Sequence, residues 1–166
     1  ELGVDTWAEV VLADYKKEQV DTSLLIQEKK EETGGSVILN SPSGGQTAMI
    51  YRGADSMLDA QDIPTHALSQ ASWIHLSNIA GRESALQKIF GAVSQYRRQF
   101  SWNPGKAEIK LLVEGKLNLT GLAVSVFFVN QREWESLAAV KDQLFTACAQ
   151  IVVTKGADGG EVYQAG

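Results

Sequence analysis

A single cysteine, three prolines and two histidines are spread over 166 residues. With Cys148 alone, no intramolecular disulfide framework can hold the chain, so a packed core must do so. The length and the 44% apolar share suit that, and predict one ordinary domain without covalent staples. Cys148 itself lies in the apolar stretch FTACAQ and reads as an inert core thiol. His66 and His75 with one cysteine make no zinc-type ligand set, and no residue is assigned as a direct metal ligand. No apolar run approaches the roughly 20 residues that cross a bilayer, and the opening ELGVDTWAEV carries no signal-peptide pattern. A soluble, cytoplasmic chain with no membrane partner is expected. Excess positive charge is absent as well: 15 basic residues face 20 acidic ones, for a net charge of −5. The basic pairs at 16–17, 29–30 and 97–98 sit among acidic and polar residues and read as solvated faces, which argues against a nucleic-acid partner.

What the chain does have is a change of pattern along its length. Residues 7–18, WAEVVLADYKKE, place Trp7, Val10 and Val11 at helical spacing, with Asp5 or Thr6 available as the cap. SLLIQEK (23–29), GSVILNS (35–41) and QTAMIYR (46–52) then read as strands separated by the turn-rich EETGG and SPSGG. Residues 23–52 are therefore expected to form an antiparallel meander. From residue 71 onward strands alternate with helices: ASWIHLS, the helix 81–99, QFSWN, the helix 106–115, LAVSVFFVN, a helix from 131 in one or two pieces, and QIVVTKG. GGEVYQAG begins a hairpin. Such alternation predicts a layered, mostly parallel sheet, and the apolar run at 122–130 suits a strand covered on both faces.

In sheets of that kind ligands gather beyond the carboxyl ends of the strands. VVTKGADGG (152–160) follows a β-branched run with three glycines, which lets backbone N–H groups approach a ligand; it is also what a tight hairpin needs. The spacing matches neither a Walker A loop nor G-x-G-x-x-G. In FFVNQREWESL, Asn130 and Glu133 fit a capping box at a helix start, or a pair facing phosphate oxygens and a hydrated magnesium ion. Arg52, in YRGAD, is either a surface arginine or a planar fork for an anionic or hydroxylated substrate. Asp55, Asp59 and Asp62 read as a solvated acidic surface, and Trp73, Trp102 and Trp134 as packing residues. His75 reads as a hydrogen-bonded core histidine.

Taken in order, LGVD (2–5), VDTS (20–23), TGGSVILN (33–40), YRGAD (51–55), WIHLS (73–77), WNPG (102–105), VNQRE (129–133) and VVTKGADGG (152–160) resemble the ribokinase-like sugar kinases, the phosphofructokinase B family. No one segment is specific; eight in order are. The resemblance implies an α/β fold, a three-layer sandwich with a mostly parallel sheet and a small antiparallel β lid. Residues 1–22 and 53–166 would form the nucleotide- and sugar-binding core and 23–52 the lid. It implies transfer of the γ-phosphoryl group of ATP, with Mg2+, to a hydroxyl of a sugar or sugar derivative. By position, Asn130, Thr154 and Gly156 would meet the nucleotide. Asn130 and Glu133 would lie near phosphate and magnesium, Ser77 and Asn103 near the sugar, and Arg52 would come from the lid. Lids of this family often pair, so a homodimer through the lid is expected.

Two blocks of the family have no counterpart in these residues. One is an early segment with an acidic sugar ligand and G-G-x-x-x-N. The other is D-T-x-G-A-G-D, which supplies an anion hole and the aspartate that takes the hydroxyl proton. The chain alone is therefore expected to be the central portion of such a kinase and to lack turnover. The rival expectation is a non-catalytic α/β binding or dimerisation module that uses the meander as its interface.

Overall fold

The computed structural model describes residues 1–42 and 46–164, which leaves part of SPSGG and the final two residues of GGEVYQAG outside the described residues. Two compact units are present, one running to Leu58 and one starting at Asp59.

In the first unit, helix α1 spans Thr6–Lys17. Its cap is Asp5: Oδ1 accepts the Ala8 N–H at 2.8 Å, which satisfies one of the orphan donors of the first turn. The other carboxylate oxygen accepts the Thr33 N–H at 2.6 Å, so one side chain both starts the helix and anchors the approach to the sheet. These two backbone donors, Thr33 first, hold the Asp5 carboxyl below its usual pKa. Ala8 is the buried residue of α1, whereas Trp7 is 72% exposed.

Strands β1 (Gly35–Asn40) and β2 (Gln46–Tyr51) pair antiparallel, from Gly35 opposite Tyr51 to Asn40 opposite Gln46. Side chains alternate between the two faces of such a ribbon. Val37, Leu39 and Met49 therefore share one face, Ile38 and Ile50 the other, and all five are more than half exposed. Residues 23–29 do not form the third strand expected of a meander. The Asp21 carboxylate accepts the Ser23 N–H and the Thr22 carbonyl accepts the Leu25 N–H, turns that take the backbone out of an extended path. What remains is one parallel bridge, Leu2 with Gln27.

The second unit contains α2 (Thr65–Gln70), β3 (Trp73–Leu76), α3 (Glu83–Tyr96), β4 (Gln99–Trp102), α4 (Lys106–Val113) and β5 (Val124–Asn130). It continues with α5 (Gln131–Ser136), α6 (Lys141–Ala147), β6 (Cys148–Thr154) and β7 (Gly160–Gln164). Strand order follows the sequence, β3-β4-β5-β6-β7, with parallel pairing until β7, which closes antiparallel on β6. The helix expected from 131 breaks at a 3-10 turn, Ala138–Val140.

The pairing register puts Phe100, Trp102, Phe127, Ile151 and Tyr163 on one face of the sheet. That face meets the helices: the Phe90 ring of α3 lies edge-on to Phe100 and Trp102, and Trp134 of α5 stacks on Tyr163. The middle of the other face carries half-buried Val126, Phe128 and Val152 beside exposed Trp73 and Val162. Both-face coverage of β5, expected from its unbroken apolar run, is thus seen on the helical face only; this chain's α3, α5 and α6 pack there. Cys148 opens β6 and is 3% exposed; burial pushes its thiol up to about 12.

Candidate functional site

The carboxyl ends of the parallel strands bring several of the expected residues to one edge. Asn130 is the last residue of β5 and Thr154 the last of β6, and they are register partners. Glu133 joins them through a reciprocal capping box: its N–H donates to Asn130 Oδ1 at 3.0 Å, and its Oε2 accepts the Asn130 N–H at 2.9 Å. Sequence reasoning left the capping and ligand readings open, and the structure establishes the first. Asn130 and Thr154 remain exposed and Glu133 half-buried, so their outer atoms are accessible.

The loop after Thr154 is a short 3-10 turn, Gly156–Asp158, closed by the Lys155 N–H donating to the Gly159 carbonyl at 2.7 Å. Gly156 has φ +62, and nothing lies within 4 Å of where a Cβ would stand. Glycine is thus required there by the left-handed backbone and not by crowding, and it leaves open backbone on the accessible side. Lys155 was not singled out by the sequence reading. Its ammonium contacts Glu161, which also accepts the Tyr163 hydroxyl at 2.7 Å. The Glu161 carboxylate raises the Lys155 pKa, and Lys155, followed by the Tyr163 hydroxyl, lowers that of Glu161. A positive charge is thereby held beside the turn.

Toward β3 and β4 the edge is tied differently. The Asn103 N–H donates to the Leu76 carbonyl at 2.9 Å, and its side-chain Nδ2 donates to the Phe128 carbonyl at 3.0 Å. Asn103 therefore links the ends of β3, β4 and β5. Ser77 directly follows β3 and is exposed. Arg52 is exposed and belongs to the first unit, after β2, whereas the other expected residues belong to the second. His75 is exposed where a core position was expected; its Nδ1 lies 2.8 Å from the buried Ser101 hydroxyl, which also takes the Trp73 indole N–H. Trp73 is about half exposed and packs less than expected, while Trp102 and Trp134 are buried.

The residue most clearly missed is Glu108. Its side chain is fully buried at the start of α4 and accepts three backbone N–H groups: Ile79 at 2.8 Å, Gly81 at 2.9 Å and Gly105 at 3.0 Å. In sequence it is an ordinary acidic residue in a first helical turn, and nothing local marks it as buried.

Cavities do not decide the site: a groove of about 400 Å³ lined by Lys106, Arg132 and Glu133 among others touches this edge, but larger ones lie elsewhere. A groove of about 660 Å³ in the first unit is lined by Trp7, Met49 and Tyr51 among others, and one of about 590 Å³ lies at the opposite, amino-terminal edge of β5 beside Thr120 and Thr146. Strand polarity nevertheless points to the carboxyl edge, because parallel α/β sheets bind their ligands beyond the carboxyl ends of the strands. Among the described residues no group of three histidine, cysteine, aspartate or glutamate side chains is gathered for a metal ion, and no helix is long and apolar enough to cross a membrane.

A mostly parallel sheet with accessible polar groups at the carboxyl ends of its strands defines an α/β protein of the kind that binds ligands at that edge, and comparisons with known proteins specify the family. Residues 1–165 match the pfkB family carbohydrate kinases, and the chain belongs to that family. A 62-residue segment is 31% identical to the ribokinase of Staphylococcus aureus strain COL, which is 37% of this chain and 20% of that enzyme. The ribokinase structure from Giardia lamblia superposes with a TM-score of 0.74 at 18% identity, over 98% of this chain and 53% of that one. Adenosine kinase from Sinorhizobium meliloti gives 0.74 at 16% identity, over 99% and 54%. At such identities the superpositions speak to fold alone. The chain spans little more than half the length of these solved kinases.

Proposed function

We propose that the parent protein is an ATP-dependent kinase that phosphorylates a hydroxyl of a sugar or sugar derivative, and that this chain is a central part of its two-substrate cleft. The observation that carries the reading is the joining of Asn130, Glu133 and Thr154 at one accessible strand edge in a chain of the pfkB family. Asn130, Thr154 and the open backbone at Gly156 meet the nucleotide, while Ser77 and Asn103 serve the sugar side. Arg52 binds the acceptor, and residues 23–52 act as the lid.

Mg2+ usually reaches such sites with one or two carboxylates, phosphates and retained waters. Glu133 fits that limited role as a single half-buried carboxylate whose Oε2 is engaged in the cap. The ion, when bound, neutralises charge on the transferring phosphates. This chain's own residues bind and orient; the group that takes the hydroxyl proton belongs to polypeptide matching D-T-x-G-A-G-D, a sequence absent from these 166 residues. We therefore hold the isolated chain to be inactive and the parent to work in the cytoplasm.

The exposed apolar faces of the β1–β2 ribbon support a homodimer through the lid. The same surface favours the second reading, a non-catalytic binding or dimerisation module. A coupled ADP-release assay with a panel of sugars and nucleosides separates the two. Turnover by the parent and none by the 166-residue chain is expected. A parent inactive on every acceptor favours the module, and clear turnover by the chain alone removes the inactivity proposal.

A further inference from the structure

We propose that Glu108 is the positioning residue of the acceptor side of the cleft. Its buried carboxylate clamps the loop after β3 and the loop after β4 into one fixed arrangement. The inference rests on the kinase reading for its functional consequence, but its structural part stands separately.

The geometry is that of a staple. Oε1 takes two N–H groups of the β3–α3 loop, Ile79 and Gly81, and Oε2 takes Gly105 of the β4–α4 loop. The segments joined are about 25 residues apart in sequence, and each directly follows a residue assigned to the acceptor, Ser77 in one and Asn103 in the other. A fully buried carboxylate is tolerated when its oxygens are occupied by donors, and here all three donors are backbone amides of loops with few bonds of their own kind. Packing is close on both sides. A Cβ on Gly105 would stand 2.8 Å from Asn78 Cβ, and one on Gly81 would stand 2.9 Å from Ala107 Cβ. The two loops therefore have little room to shift singly, and the carboxylate sets where they sit. Rigid support of this kind matters because a misplacement of about 1 Å costs up to ~100-fold in rate.

The test uses the full-length parent with Glu108→Gln and Glu108→Ala. The amide of Glu108→Gln keeps one acceptor oxygen and turns a donor toward the N–H groups the other oxygen served. Kinetics are taken well below each variant's melting temperature. The expected result is a KM for the acceptor raised about tenfold or more, with the KM for ATP changed less than about twofold, and a larger acceptor effect for the alanine than for the glutamine. A purely structural role would lower the melting temperature and leave this split unmoved; that outcome overturns the proposal. Hydrogen exchange on the same proteins is independent of activity: amides at 78–81 and 105 should exchange about tenfold faster, with β5 unchanged. Faster exchange in a parent that phosphorylates nothing would sink the kinase reading while upholding the clamp; unchanged exchange sinks the clamp whatever the activity. If the Glu108 variants do not fold, Gly105→Ala presses on the same contact from the other side and should show the same acceptor-selective rise in KM; its absence overturns the proposal.

Discussion

The two units of this chain use apolar side chains in opposite ways. In the second, Phe100, Trp102, Phe127 and Leu86 are fully buried between sheet and helices, with aromatic rings meeting edge to face. In the first, the ribbon exposes Val37, Ile38, Leu39, Met49 and Ile50, and α1 exposes Trp7 and Val10. Two strands with both faces wet cannot hold themselves together by burial, and the small unit relies instead on specific bonds, with Asp5 fastening helix and ribbon entrance at once. The second unit is thus held by burial, whereas the first keeps most of its large apolar side chains at its surface.

Core truncation should separate the units most sharply. Trp102→Ala is expected to cost about 3–5 kcal/mol in denaturant melts of the second unit, whereas Ile38→Ser in the ribbon should stay within about 0.5 kcal/mol. Comparable costs at both positions would mean the ribbon side chain is buried in solution. A smaller effect is expected from Asn130→Ala, about 1 kcal/mol for the lost helix cap, together with a raised KM for ATP in the parent; a stability loss with an unmoved KM would confine Asn130 to capping. The acid limb tests the small unit. The folded Asp5 carboxyl has a lowered pKa, so its contribution is fully present above the usual aspartate value of about 4 and is lost as pH falls through the folded value. Melting of wild type against Asp5→Asn across pH 2–6, a range of about four units around that value, should therefore converge at the acid end. The mildest probe is Cys148, whose thiol should resist a thiol reagent until the second unit unfolds.

Much of the second unit was legible because its strands are short apolar runs ending in polar or glycine residues, and its clearest helix has a continuous stripe. The edge formed by Asn130, Glu133 and Thr154 was legible for the same reason: strand ends can be found one by one. Three features were not. Residues 23–29 look like a strand by composition, but side-chain and backbone turns at Asp21 and Thr22 decide their path. Helix α2 is only six residues, THALSQ, with no periodic stripe to betray it. Glu108 is an acidic residue at a helix start, as are many solvated ones, and its burial comes from loops 25 or more residues away that close over it. Local pattern fixes elements, and contacts distant in sequence fix what a charged residue does.

The most direct test of the account is hydrogen exchange of the parent protein with and without Mg-ADP. Binding at the carboxyl edge predicts slowed exchange at residues 130–133 and 154–159, with the opposite edge around 118–123 and 146–149 unchanged. Protection confined to that opposite edge, or none at Asn130 and Thr154 while nucleotide is bound, would contradict it.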